Sequence, residues 1–465
     1  MIDVTNRNKM HDILRYYGTL LFDCYGEGKI AYEEGKQYEC NFGIGQLFDG
    51  SIYFVTDADI IISGKLSYIF EELDKKFNFN GKTENGLTIT FCTKGLVLVT
   101  GPIYLVYKIS LFKIETNTND PIKKINFGLT NFLFTGNCND GKELSVNLPN
   151  LEPITIRQLP DYDMIVKQLN DKKFINVTSE LVIPLKNDTE FEKAEEISRT
   201  ICYLLSICRG SKIVWMYYTC FDEKGTVICQ VRKDPTIFSL SSFPELIPPD
   251  MFWIDATKSF LEKSYQATID YPKIEEYLGR LSDLYIDARI GSGYIDTQGL
   301  KSVVLMEVIV KYVLADPRFE IKEIILEDDE DLKMNIKNVI RSMIPDKNIR
   351  SALYENLTNI NRTPFKKLIT RLCEKIELKV DESDIESFVK SRNALIHTGF
   401  FSCEIDNPEE RQTDQPSFDT FREYRFIINF IDKIFLKLFN YSGDYCNIQK
   451  WGITGYTCHK LKDTI

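Results

Sequence analysis

Arg392-Asn393-Ala394-Leu395-Ile396-His397 lies inside residues 383–399, a segment whose apolar spacing reads as one short helix and whose reading makes the C-terminal half of the chain a set of packed helices. Ser383, followed three residues later by Glu386, predicts a capping box at its start, and Gly399 is a natural stop at its end. At 100° per residue from Ile385, the side chains of Phe388, Val389, Leu395 and Ile396 fall within about 80° and define an apolar face. Arg392 falls at about 340°, in the middle of that face. Glu386, Lys390, Asn393 and His397 fall between about 80° and 140° and form a polar stripe along its edge.

An arginine centred on an apolar face needs a partner, because a buried charge that loses its partner costs roughly 3–5 kcal/mol. Either a carboxylate elsewhere in the fold meets Arg392, or the face opens onto a cleft or interface that binds phosphate. His397 is one of three histidines and the kind of side chain that exchanges protons near neutrality. The planar donor fork of Arg392 suits a phosphate, and Asn393 can orient the imidazole or hold a ligand oxygen. The bland alternative is a structural arginine beside a surface histidine, with Glu386 doing no more than capping.

Working outward, residues after 251 keep helical periodicity over 252–267, 272–287, 296–315, 329–343, 347–357, 363–377, 383–398 and 418–439, with a loop over 407–415. Residues 1 to about 240 instead carry short runs of Ile, Val, Phe, Tyr and Thr separated by Gly, Asn and Asp. Those at 51–56, 87–92, 96–100, 103–109 and 126–134 predict an antiparallel β domain. One helix is expected there, over 190–208, then a hairpin of 212–221 and 226–231 turning at Glu223-Lys224-Gly225. Residues 241–250, with Pro244, Pro248 and Pro249, read as a linker. The expectation is a two-domain α+β protein, β-rich over 1–245 and α-helical over 252–465, with no internal repeat.

Composition limits what this protein can be. With 465 residues, 43% hydrophobic and 12% aromatic, it has material for large cores. The first residues lack the regions of a signal peptide, and the most apolar stretch, 302–315, is short and interrupted by Glu307 and Lys311, so no membrane is expected. Twelve cysteines without a CxxC pair suit reduced thiols in a cytoplasm, and the histidines are too scattered for a metal motif; no metal or cofactor is expected. The net charge of −11 argues weakly against a nucleic-acid partner, because residues 333–375 hold ten Lys/Arg against three Asp/Glu, a local +7, flanked by acidic segments at 327–331 and 381–386. Within that block Lys367, Arg371 and Lys375 repeat every four residues beside Leu368, Leu372 and Ile376. They form either a grip for an RNA backbone or a solvated face, and Lys390 of the motif helix is a further candidate RNA contact. Gly291-Ser292-Gly293 lacks the rest of a phosphate loop. Alternation favours core packing over base stacking for Trp215, Tyr217 and Tyr218.

Residues 388–399 resemble the RN-x3-H signature of HEPN domains, in particular those of the ApeA-like group of bacterial anti-phage proteins. More loosely, residues 294–315 resemble the long helix before the motif in that group, 426–445 its closing helix and turn, and 201–219 its N-terminal region. The resemblance implies an all-α HEPN bundle after a β-rich sensing or regulatory domain. It implies a metal-independent endoribonuclease, paired as a homodimer around one composite site and held silent until a phage-derived trigger releases it. Arg392 and His397 would be catalytic, with Asn393 assisting and Glu386 supporting. That chemistry is self-consistent: the RNA 2′-OH is the nucleophile, imidazoles move the protons, and Arg392 stabilises the phosphoryl charge, leaving a 2′,3′-cyclic phosphate and a 5′-OH. One histidine per chain is too few for separate acid and base, and two-fold pairing supplies two. The alternative is a non-catalytic HEPN scaffold or nucleotide-binding module acting with a partner protein.

Overall fold

The computed structural model of the chain describes residues 4–32, 35, 37–57, 76–94, 96–99, 104–116, 120–134, 136, 141–172, 176–186, 191–235, 245–248, 255–289, 294–314, 330–358, 364–406, 418–450 and 458–460. Residues 241–244 and 249–250 of the expected linker, the Gly291–Gly293 loop, the loop at 407–415 and the acidic residues 327–329 lie outside them.

The N-terminal half is a large antiparallel sheet. Its strands are β1 (Leu20–Tyr32), β2 (Gln37–Leu47), β3 (Ile52–Asp57), β4 (Lys76–Thr83), β5 (Thr88–Lys94), β6 (Leu96–Val99), β7 (Tyr104–Ile109), β8 (Leu111–Glu115), β9 (Lys124–Thr130), β10 (Glu143–Val146), β11 (Ile154–Gln158), β12 (Val177–Pro184), β13 (Trp215–Phe221) and β14 (Val227–Lys233). Hydrogen bonding orders them β10-β11-β12-β9-β13-β14-β8-β5-β4-β1-β2-β3-β7-β6. Three helices accompany the sheet: α1 (Val4–Tyr17), α2 (Tyr162–Lys172) and α3 (Phe191–Arg209). The helix expected at 190–208 and the hairpin turning at Gly225 are both present. Helices α1 and α2 are additions to the sequence reading.

Period-two burial explains the first part of the sheet. In β4 exposed and buried residues alternate without a break, sending Phe77 and Phe79 inward. They meet Phe42, Phe54, Phe91 and Tyr107 in edge-on and stacked ring pairs, each buried phenyl contributing roughly 1.5–3 kcal/mol.

The C-terminal half is mostly helical: α4 (Ala256–Asp270), α5 (Pro272–Arg289), α6 (Ile295–Leu314), α7 (Glu330–Met343), α8 (Lys347–Thr358), α9 (Phe365–Lys375), α10 (Glu382–Thr398), α11 (Ser402–Asp406) and α12 (Phe418–Leu438), then a small hairpin of β15 (Asp444–Cys446) and β16 (Cys458–Lys460). The eight expected helices are all there, and α11 and the hairpin are new. No helix among the described residues is long and apolar enough to cross a membrane.

Burial does not change over where the secondary structure does. Residues of β1–β5, β7 and β8 form one core, whereas β9–β14, α3 and the C-terminal helices α4–α6, α9, α10 and α12 share another that runs from Ile125 to Ile448. Leu246 and Ile247, inside the expected linker, are fully buried, and both backbone amides donate to the Cys208 carbonyl. Within this shared core Arg289 of α5 donates from Nη1 to both carboxylate oxygens of Asp432 of α12 at 2.9 and 3.0 Å, and the Tyr285 hydroxyl donates to Asp432 at 2.7 Å. Arg289 and Asp432 are both fully buried. Gly210, at the end of α3, has φ +61°, and a Cβ there would stand 2.9 Å from Arg289 Nε, so the position requires glycine twice over.

Candidate functional site

Helix α10 carries the motif and is held on several sides. It packs on α6 across Gly299, where a Cβ would come within 3.2 Å of Leu395, and on α12 through Phe388 stacked on Phe430 at 4.9 Å. Its start departs from the expected capping box. The N-cap is Asp381, without a side-chain cap hydrogen bond, and Ser383 already lies in the first turn. Glu386 turns to α9 instead, where Lys366 bonds both Glu382 and Glu386, at 2.9 and 2.8 Å. Those contacts raise the Lys366 pKa above its ordinary value. The end matches the expectation: Gly399 is left-handed, φ +79°, and its amide closes on the Leu395 carbonyl.

The buried face of α10 is Ile385, Phe388, Ser391, Ala394 and Leu395. Ile396, expected inside, is 38% exposed. The helix is therefore rotated about its axis from the expected orientation, with Ser391 and Ala394 inside. Val389 is half-buried.

Arg392 is met by a carboxylate, the first of the two arrangements its position allows. Glu307 of α6 accepts from Nε at 2.8 Å and also from Nη2, while Nη1 donates to Asn393 Oδ1 at 2.9 Å. The guanidinium lies 4.9 Å from the centre of the Phe365 ring, a cation–π contact from the first residue of α9. Three helices therefore fix one guanidinium, which keeps 17% of its side-chain surface exposed. Glu307 is what the sequence reading missed at this site. Its signal was present, a charge inside the apolar run 302–315, but only the fold supplies its partner.

Asn393 is committed to Arg392 rather than to His397. His397 is exposed in the last turn of α10, with no side-chain partner among the described residues. By contrast His11, on α1, bonds Asp23 and Tyr25 through Nδ1 at 3.2 and 2.8 Å. The chain beyond His397 is anchored by Glu423 of α12, which accepts from Ser402 N at 2.9 Å, Ser402 Oγ at 2.8 Å and Cys403 N at 2.9 Å. Burial pushes the Glu423 carboxyl up, but hydrogen bonds from Ser391, Cys403 and Ser402 outweigh it and hold it below the usual range.

Lys390 pairs with Asp406 of α11 at 2.7 Å, which raises its pKa. On α9, Lys367 and Lys375 are exposed and Arg371 is half-buried, its Nη1 enclosed without a hydrogen-bond partner among the described residues. The buried row is Ile369, Leu372, Cys373 and Ile376, with Leu368 only partly covered. Around the Arg392–Glu307 pair lie exposed apolar side chains: Leu300 and Val304, two turns and one turn before Glu307 on its side of α6, and Ile396 one turn after Arg392. No group of three or more His, Cys, Asp or Glu among the described residues is arranged to hold a metal ion. The chain matches no family model, no curated protein and no solved structure.

Proposed function

We propose that this protein is a metal-independent endoribonuclease of the HEPN type, acting in anti-phage defence by cutting RNA and halting growth. The observation that carries the reading is the pairing on one helix of a fixed guanidinium with an exposed imidazole that has no side-chain partner among the described residues, Arg392 and His397. Glu307 and Asn393 take three of the guanidinium's five N–H groups, which leaves two for a phosphoryl oxygen on a side chain that keeps part of its surface exposed. An imidazole in water can take the 2′-OH proton or protonate the 5′ oxygen. The exposed apolar residues Leu300, Val304 and Ile396 beside the pair suit a second copy of α10 and α6, which would bring a second His397 to the same phosphodiester.

The Glu307 contact also gives the second reading its footing. An Arg392 already neutralised by a carboxylate is what a non-catalytic scaffold or nucleotide-binding module would contain. Expression of the wild type beside Arg392→Ala and His397→Ala separates the two. Loss of toxicity or phage restriction in both variants, with folding intact and with 2′,3′-cyclic phosphate and 5′-OH ends in wild-type RNA, supports the nuclease. Equal behaviour of all three chains, or 5′-phosphate products, rejects it.

A further inference from the structure

Cys220 on β13 and Cys229 on β14 are direct partners in the antiparallel register, and their Sγ atoms stand 3.3 Å apart. Directly opposed residues in such a ladder have Cα atoms about 4.5–5.5 Å apart, inside the roughly 4.4–6.8 Å that a disulfide spans. Both are thiols in this structure. Neither belongs to a group of His, Cys, Asp or Glu that could hold a metal, so metal ligation does not explain the pairing among the described residues.

We propose that Cys220 and Cys229 are an oxidant-responsive thiol pair that closes to a disulfide across the β13–β14 hairpin. The chemistry balances with a peroxide as oxidant. The Cys229 thiolate attacks one peroxide oxygen, giving a sulfenic acid and one water; the Cys220 sulfur then displaces the second water as the S–S bond forms. Two thiol hydrogens and two electrons end on the peroxide oxygens. Cys229 is the first nucleophile, because it keeps some exposure on the strand that leads from the hairpin tip, whereas Cys220 is fully buried.

Access comes from the hairpin tip. Residues 223–227 are exposed, Cys229 lies two positions further on, and the ladder is already irregular between Cys220 and Phe221. Fraying of that end is the cheapest opening that brings a small oxidant to the pair. Position gives the closure a consequence. Cys229 is also opposite Glu115 of β8, so the bond would lie beside the β14–β8 pairing through which the two cores are joined in one sheet.

The test treats the folded full-length protein with hydrogen peroxide, blocks remaining thiols with an alkylating agent, then unfolds and digests it with trypsin. Cleavage after Lys212, Lys224 and Arg232 puts Cys220 and Cys229 on different peptides, residues 213–224 and 225–232. The expected product is those two peptides joined, reduced apart by dithiothreitol, and absent from a sample unfolded and alkylated before oxidation. Exposed Cys92 serves as the oxidation control. Recovery of both peptides singly alkylated while Cys92 is consumed overturns the proposal, as does a mixture of pairings with other cysteines.

Discussion

Glu307 on α6 and Arg392 on α10, 85 residues apart in sequence, share one hydrogen-bonded edge, with Nε 2.8 Å from the carboxylate. The contact takes the donors nearest the side-chain stem and leaves the outer fork partly available. On the proposed chemistry Glu307 is therefore a positioning residue, and Glu307→Gln should lower the rate of RNA cleavage about tenfold, equivalent to about 1.4 kcal/mol in the barrier. The loss should fall on kcat, with KM little changed, because orientation is felt mainly in the transition state. Faster cleavage would instead mean that Glu307 competes with phosphate for Arg392. Cleavage of an end-labelled RNA under single-turnover conditions decides it.

The exposed ends of the basic row on α9 differ from its middle. Lys367 and Lys375 are exposed and can meet phosphate, whereas Arg371 is half-buried. Changing both lysines to Ser should weaken RNA binding and flatten the dependence of log K on log salt by roughly 0.7 per lost phosphate contact. Unaltered binding and slope would return both residues to the solvated face. Arg371→Ser should cost stability as well as binding, which a melting curve separates from the RNA effect.

Periodicity made the eight C-terminal helices legible, most of them because they bury one face, and alternation did the same for strands such as β4. Three things were hidden. The partner of Arg392 depends on how α6 and α10 lie together, and no local pattern carries that. The start of α10 was misplaced because Ser383 and Glu386 have capping-box spacing, while Lys366, from another helix, draws Glu386 away. The buried face includes Ser391 and Ala394 rather than Ile396, and the hydrophobicity of the helix alone does not indicate that rotation. His397 lay on the polar stripe in sequence and is exposed in the fold, so the helical wheel placed the imidazole correctly without placing its surroundings.

Glu423 gives a pH dependence with a definite sign. Its folded pKa is below that of an unfolded glutamate, about 4.3. The charged form is the one the fold favours, so its contribution is present in full above that unfolded value and is lost as pH falls through the lower folded value. Glu423→Gln should therefore melt lower than wild type at about pH 6.5, and the gap should narrow below about pH 4. A gap that stays constant across that range would mean that shape, not charge, anchors the turn after His397. Thermal melts of both chains in parallel buffers make the comparison.

The buried pair Arg289–Asp432 predicts the largest single effect. Asp432→Asn keeps the volume but leaves the enclosed guanidinium without its counter-charge, a change that costs roughly 3–5 kcal/mol when a buried pair is broken. Replacing both residues, with Arg289→Met and Asp432→Leu together, removes the stranded charge and should recover much of that loss. Urea titrations followed by far-ultraviolet circular dichroism give the midpoints. If the double variant is as unstable as Asp432→Asn alone, the pair matters through its hydrogen bonds to Tyr285 and its geometry rather than through charge balance. Because α5 and α12 frame the core on which α10 packs, Asp432→Asn should also lower cleavage without any contact to RNA. That indirect loss should vanish when the rate is compared per folded molecule, which distinguishes it from the loss expected at Glu307.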